Sequence, residues 1–312
     1  MSPDVEALVE RLLAGNRRAL ARILTQIEND APAGRRALSL LYPRSGRAHT
    51  VGLTGSAGSG KSTLVAALAR VLRARGRTLG IVAIDPTSPF SQGALLGDRI
   101  RMQELTADRE VFLRSMATRG NLGGLAPATA GIVTALDAFG KDVVIVETVG
   151  AGQDEVEVAA MADTTVVVLT PGSGDDVQAM KAGIMEIADV LVVNKSDLPN
   201  ADLLARQLRS IVEAARSGRP TPIVRTASAL GEGIEALADA LEEHRAYIEQ
   251  PDVRAAHRRA QARHQVLALA RQRLIDRVVT VHSGDGRLDD LVAQVADRRL
   301  DPQAAADALI TE

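Results

Sequence analysis

Between the apolar strand Val51-Gly-Leu-Thr54 and the amphipathic stretch Leu64–Arg73 lies Gly55-Ser-Ala-Gly-Ser-Gly60-Lys61-Ser62-Thr63. The run fits G-x-x-x-x-G-K-[ST], and its setting is the one this loop needs. Glycines at 55, 58 and 60 let backbone N–H groups turn inward around a phosphate, and the following helix adds partial positive charge at its N-terminus. Gly55, Ser56, Ala57, Gly58, Ser59, Gly60, Lys61, Ser62 and Thr63 are therefore the expected phosphate cradle. Within it Lys61 reaches the β- and γ-phosphates, and Ser62 offers its hydroxyl to Mg²⁺. A strand–loop–helix unit of this kind demands an α/β fold.

The remaining apolar runs agree. Leu79–Ile84, Val143–Val146, Thr165–Leu169, Val190–Val193 and Ile223-Val224 alternate with helical segments. Short apolar strands separated by helices predict a mostly parallel sheet flanked by helices on both faces, a P-loop NTPase fold. Residues 4–29 show helical periodicity broken at Gly15-Asn16. After Glu249 the strand signal stops. Arg254–Val281 predicts a long helix, followed by Leu288–Ala296 and Pro302–Leu309 with Asp301 as N-cap. The organisation read from this is a helical lobe over 1–46, a nucleotide domain over 47–249 and a helical arm over 250–312. The arm helix reads either as a solvated surface or as a subunit contact.

Composition excludes several classes. A net charge of −2 and 2% aromatics leave no electrostatic or stacking case for nucleic acid. Cys is absent, which removes disulfides and thiolate metal sites and fits a cytoplasmic setting. No apolar run approaches a membrane span, so no membrane role is expected. Five histidines, His49, His244, His257, His264 and His282, are scattered, and His257 and His264 read as a surface pair on one helix.

Base choice is expected at Asn194-Lys195-Ser196-Asp197, directly after a strand. The Asp197 carboxylate can accept from guanine N1–H and the 2-amino group, a paired donor face that adenine lacks. Asn194 orients the loop and meets N7, and the Lys195 stem covers the base. Thr226-Ala227-Ser228-Ala229-Leu230 follows another strand and offers backbone amides to guanine O6. Acids at strand ends supply the Mg²⁺ shell: Asp85 and Glu147, with Asp98 in a loop. Glu147-Thr-Val-Gly150 has the pattern of a switch element, with Gly150 sensing the γ-phosphate and Gln153 positioning water. Ser56 stands where chromosome- and septum-positioning ATPases carry a second lysine, which argues against that class.

Longer blocks extend the pattern. Asp85-Pro-Thr-Ser-Pro-Phe90, Gly93-Ala-Leu-Leu-Gly-Asp-Arg-Ile-Arg-Met102, Thr118-Arg-Gly-Asn-Leu-Gly-Gly124, Glu147-Thr-Val-Gly-Ala-Gly-Gln153, Pro171-Gly-Ser-Gly-Asp-Asp176 with Lys181, and Leu300-Asp-Pro-Gln-Ala-Ala-Ala306 join the two nucleotide loops. With them the chain resembles, over essentially its whole length, the MeaB/ArgK family of metallochaperone-type P-loop GTPases, accessory proteins of methylmalonyl-CoA mutase. The resemblance implies a GTP-hydrolysing chaperone that gates adenosylcobalamin delivery to a B12-dependent acyl-CoA mutase and protects it. It implies a homodimer through the C-terminal arm, and Mg²⁺ among Ser62, Asp85, Asp98 and Glu147. It also implies a switch from Asp175-Asp176 to Lys181, with Lys181 on the nucleotide in a closed state. Ala57 replaces the family's frequent Pro, and Asp154 its common Ser, which leaves turnover and partner response open. The alternative carried by the family's labels is a kinase or ATPase of basic amino-acid transport, and Asp197 argues against ATP.

Overall fold

The computed structural model describes residues 4–85, 103–117, 125–148, 154–172, 187–215 and 220–310. Three helices open the chain: α1 (Val5–Leu13), α2 (Arg17–Glu28) and α3 (Pro32–Leu41). Asn16 ends the predicted break by capping α2, its side-chain oxygen accepting from the Ala19 amide at 3.0 Å. Then follow β1 (His49–Thr54), α4 (Lys61–Ala74), β2 (Leu79–Asp85), α5 (Gln103–Ala107), β3 (Val111–Ala117), α6 (Leu125–Ala138), β4 (Val143–Glu147), α7 (Asp154–Met161), β5 (Thr164–Leu169), β6 (Val190–Val193), α8 (Ala201–Ala215), β7 (Ile223–Arg225) and α9 (Ile234–Ile248). The C-terminal helices are α10 (Pro251–Gly284), α11 (Arg287–Ala296) and α12 (Pro302–Ile310). Asp301 caps α12 as expected, accepting from the Gln303 and Ala304 amides at 2.9 and 3.0 Å.

The seven described strands form one sheet in the order β3-β2-β4-β1-β5-β6-β7. Every pair is parallel. Period-two alternation splits each strand between two faces. Ile145, Val166, Val168, Val190 and Val192 pack with Leu64, Leu68 and Leu72 of α4 and with Leu237 and Leu241 of α9. Val144, Val146, Val82 and Ile84 face the other way, onto α6, α7 and the three N-terminal helices. The same face of β5 and β6 is covered by Leu204 and Leu208 of α8. Aliphatic side chains fill nearly the whole core, as the near absence of aromatics requires.

The chain divides into two compact units, Met1–Ala262 and Arg263–Glu312. Among the described residues no helix is long and apolar enough to cross a membrane.

The sheet's amino-terminal edge is lined by histidines. His49 Nε2 and His244 Nδ1 each lie 2.7 Å from Thr164 Oγ1, and His244 Nε2 lies 3.3 Å from Asp189 Oδ1. His257 is no solvent-facing pair with His264: its Nε2 sits 3.4 Å from Asp163 Oδ1.

Candidate nucleotide-binding site

The central position of β1 decides where the site forms. Its carboxyl end opens between β4 and β5, where loops from several parallel strands meet. Gly55 leaves β1 with φ +142°, and a Cβ there would stand 2.1 Å from the Val168 carbonyl of β5. Gly60 caps α4 at φ +89°, and a Cβ there would stand 2.5 Å from Asn194 Nδ2. Both positions therefore require glycine for conformation and for close approach. The loop is a turn whose curvature is set by its neighbours.

Lys61 begins α4 and is buried; its Nζ donates to the Gly55 carbonyl at 2.7 Å and to the Ser56 carbonyl at 3.0 Å. The ammonium thus crosses the mouth of its own loop, bonded to oxygens that a phosphate oxygen can replace. Ser62 Oγ donates to Glu147 Oε1 at 2.6 Å. Glu147 is the last residue of β4, opposite Leu53 of β1, and is almost fully buried. Thr63 follows on the first turn of α4. Ser59 Oγ is buried with no hydrogen-bond partner among the described residues, as suits an oxygen awaiting a ligand.

The base-side loop joins this cradle directly. Asn194 is completely buried. Its Nδ2 donates to the Ser59 carbonyl at 2.8 Å, while its Oδ1 accepts from Thr226 Oγ1 at 3.0 Å and from the Ser228 amide at 3.3 Å. One amide thus ties the phosphate loop, the β6 loop and the β7 loop together. Lys195, at φ +54°, sends Nζ to the Gly58 carbonyl at 2.8 Å, so its stem runs along the phosphate loop. The Ser196 amide bonds to Thr226 O at 3.0 Å, leaving Asp197 exposed on the turn. Ala229 and Leu230 are also exposed, the Leu230 amide closing a turn on Ala227 O at 2.8 Å. The sequence reading missed Thr226 as the hydroxyl that orients Asn194, although it heads the very stretch singled out.

Of the proposed Mg²⁺ set, Ser62 and Glu147 are brought into contact. Asp85 ends β2 at the same edge, two residues beyond Ala83, which pairs with Glu147. A hydroxyl and a carboxylate oxygen converging beside the phosphate loop fit Mg²⁺, which prefers oxygen and keeps several waters. Among the described residues no group of three or more acidic, His or Cys side chains forms a metal site by itself. Asp98, Gly150, Gln153 and Lys181 lie outside the described residues.

Comparison with known proteins gives one consistent result. A family profile described as "Methylmalonyl Co-A mutase-associated GTPase MeaB" matches residues 20–283. A Pyrococcus abyssi protein described as an inferred GTPase is 44% identical, with 99% of this chain and 96% of that one covered. The mouse mitochondrial protein described as a methylmalonic aciduria type A homolog is 32% identical, covering 98% of this chain and 79% of its own length. Escherichia coli GTPase ArgK is 39% identical over 62% of this chain and 59% of its own. A crystal structure described as a LAO/AO transport system kinase superposes with TM-score 0.74 at 23% identity, covering 99% of this chain and 97% of that one. At that identity the likeness speaks to the fold.

Proposed function

We propose that this chain, which belongs to the MeaB family of methylmalonyl-CoA mutase-associated GTPases, uses GTP hydrolysis to gate adenosylcobalamin delivery to a B12-dependent acyl-CoA mutase and to protect that mutase. The chain binds guanine nucleotide and hydrolyses GTP, as its family does. The observation that carries the mutase reading is the family match, which spans residues 20–283 and so takes in the nucleotide loops and most of α10.

The site's own residues set out the chemistry. Loop amides and Lys61 hold the phosphates and balance the charge that develops on the γ-phosphoryl group in the transition state. Ser62 and Glu147, with Asp85 and Asp98, are the proposed holders of Mg²⁺, which when bound neutralises charge between the β- and γ-phosphates. Asp197 reads guanine, with Asn194 and Lys195 fixing the loop and Ser228, Ala229 and Leu230 presenting amides to O6. Gly150 contacts the γ-phosphate, Gln153 orients water and Lys181 completes the closed state. The alternative of a transport kinase finds no support in this base loop, since adenine would leave the Asp197 carboxylate without its two donors.

The arm is proposed to dimerise. Val266, Leu267, Leu274 and Ile275 of α10 are 64%, 53%, 63% and 48% exposed within the second unit. Apolar residues seven apart, as at 267 and 274, suit a helix seam against a second copy. Light scattering of the full chain should report a dimer.

The decisive experiment measures GTP turnover with and without the host's B12-dependent mutases, alongside a pull-down with GDP or a GTP analogue. Nucleotide-dependent capture and accelerated turnover are expected. Absence of both for every such mutase would overturn the mutase role.

A further inference from the structure

Two buried hydroxyls stand at the carboxyl edge of the sheet, where β1 and β4 run side by side with Leu53 opposite Glu147. One residue beyond that pair, the Thr148 amide donates to the Leu53 carbonyl at 3.0 Å. The Thr148 hydroxyl donates toward the same carbonyl at 3.3 Å and toward Thr54 Oγ1 at 3.3 Å. One proton thus divides between two acceptors, a three-centre bond whose arms are both long. Thr54 is completely buried and Thr148 almost so. A hydroxyl buried among aliphatic strands costs free energy unless it is bonded, so each of the two depends on the other.

Alternation puts these hydroxyls and the Glu147 carboxylate on opposite faces of the sheet. Val144 and Val146 face α6 and α7, and Thr148 continues that row. Glu147 faces α4, where Ser62 Oγ donates to its Oε1 at 2.6 Å. Directly after Thr54 the strand departs: Gly55 turns at φ +142°, so close to Val168 of β5 that no Cβ fits. Among the described residues, Thr148 therefore makes the last hydrogen bonds from the end of β4 to β1 before the phosphate loop begins. Its amide and hydroxyl together fix the peptide that follows Glu147, and with it the height at which the carboxylate meets Ser62.

We propose, on the reading of Glu147 as a holder of Mg²⁺, that Thr148 is a positioning residue for that carboxylate: its hydroxyl, shared between Leu53 and Thr54, locks the end of β4 to the root of the phosphate loop and sets how tightly the nucleotide site retains Mg²⁺. A carboxylate already held at the right height loses little freedom when a cation arrives. One on a loosened strand end must be ordered first, and that ordering weakens binding. Losing a group that orients a metal ligand commonly weakens metal affinity by about tenfold or more. The phosphate contacts of Lys61 and the loop amides do not pass through this bond, so nucleotide binding without the cation is unaffected.

Four variants of the full-length protein separate the hydroxyl from its packing. Thr148→Val keeps the branched shape and removes the donor, and Thr148→Ser keeps the donor. Thr54→Val removes one of the two acceptors, and a double Val variant combines both changes. The measurements are release of fluorescent GDP across a Mg²⁺ titration and GDP affinity in excess EDTA. For Thr148→Val, the Mg²⁺ concentration that half-maximally slows release is expected to rise about tenfold, with GDP affinity in EDTA unchanged. Thr54→Val shifts it less, because the Leu53 carbonyl still accepts. The double variant matches Thr148→Val alone, since both single changes remove parts of one bond. Thr148→Ser stays near wild type. A loss of GDP affinity in EDTA as large as the Mg²⁺ shift, no Mg²⁺ shift in Thr148→Val, Val effects that multiply, or a Ser variant as impaired as Val would each overturn the proposal. Should Thr148→Val fail to fold, Thr54→Val decides on the same two measurements. Glu147→Gln in the same titration tests the underlying reading: an unshifted Mg²⁺ requirement overturns that reading, whereas a shift there with none in the Thr variants overturns the positioning role alone.

Discussion

The two ends of the same parallel sheet are built from different chemistry. At the carboxyl edge, side-chain donors meet backbone carbonyls: Lys61 on Gly55 and Ser56, Asn194 on Ser59, Lys195 on Gly58. At the amino edge, side chains meet side chains, with His49, Thr164, His244 and Asp189 in one row and His257 against Asp163 in another. The ammonium of Lys61 can exchange the loop's carbonyl oxygens for phosphate oxygens without rearranging the core. A buried row of imidazoles and a hydroxyl cannot change one member without the rest. A consistent assignment has His49 Nε2–H donating to Thr164 Oγ1, whose proton goes to His244 Nδ1, while His244 Nε2–H points at Asp189. The first edge is made to exchange partners with a ligand. The second fixes the starts of β1, β5 and β6 and responds to protons.

The largest expected effect tests the first edge alone. Lys61→Ala removes the mobile cation where charge develops, and turnover should fall by about a thousandfold. Stability and its dependence on pH should hardly change, because no group of the amino edge touches the loop. Steady-state GTP hydrolysis and urea unfolding at two pH values check both halves. A variant with normal turnover would break the site assignment, and one with an altered acid profile would break the separation of the edges.

The next effect belongs to the second edge. Burial pushes the His49 imidazole down to about 4, against an ordinary 6.5, with Asp163 partly opposing and Arg245 and His244 reinforcing the shift. The folded protein thus binds this proton less readily than the unfolded chain does. Its stabilising contribution is complete above pH 6.5 and is lost as pH falls toward 4. The span corresponds to roughly 3 kcal/mol. Gln at position 49 keeps a donor for Thr164 and cannot titrate. The stability advantage of wild type over His49→Gln should therefore shrink by about that amount between pH 7 and pH 4, measured by urea unfolding. An advantage that does not vary with pH would show that the row does not titrate as described.

Much of the carboxyl edge was legible because its residues are contiguous. Gly55 to Thr63 and Asn194 to Asp197 each carry their chemistry in one short run, and the strands behind them are unbroken aliphatic stretches. The amino edge was invisible for the opposite reason. His49, Asp163, Thr164, Asp189, His244 and His257 are brought together only by the strand order and by α10 folding back. No periodicity links them, and five scattered histidines gave no spacing to read. Two elements escaped for local reasons. β3 (Val111–Ala117) is an edge strand carrying Arg114, whose guanidinium pairs with Glu28 of α2, so polarity hid a half-buried strand. α3 (Pro32–Leu41) carries Gly34, Arg35 and Arg36 in its first half; Gly34 lets it approach α2, where a Cβ would come within 2.5 Å of the Gln26 backbone. Propensity alone argues against helix there, and packing decides otherwise.

A smaller effect probes specificity at the carboxyl edge. Asp197→Asn exchanges an acceptor for a group that also donates, so guanine loses one charged hydrogen bond. A bond of that kind contributes about 2 kcal/mol, which predicts roughly a thirtyfold weaker GTP affinity. Xanthosine nucleotides, with an oxygen where guanine has its amine, should gain. Because Asn194, rather than Asp197, joins the three loops, the unfolding midpoint should stay put. Equal GTP affinity in variant and wild type would place base reading elsewhere. A lowered midpoint would make Asp197 part of the scaffold.

The smallest effect lies where the amino edge meets α10. The Asp163 carboxylate raises His257 above its ordinary value, burial opposing, and Asp189 adds to the field. Burial by itself would raise Asp163, but His257 and the Thr50 amide hold it below the ordinary range. For a histidine raised in the folded state, stability is complete below pH 6.5 and is lost as pH rises through the folded value, opposite in sign to His49. The pair is partly solvated, with side chains 30% and 23% exposed. Asp163 also keeps Gln261 and the Thr50 amide when the imidazole loses its proton, so no charge is stranded. The contribution should therefore be no more than about 1 kcal/mol. Wild type minus His257→Gln should show that difference at pH 6 and lose it by pH 9 in urea unfolding, while the His49→Gln difference moves the other way, growing by somewhat under about 1 kcal/mol as the unfolded chain's histidine gives up its proton. If the two differences moved together between pH 6 and pH 9, the histidines of this edge would form a single coupled unit in place of two independent contacts.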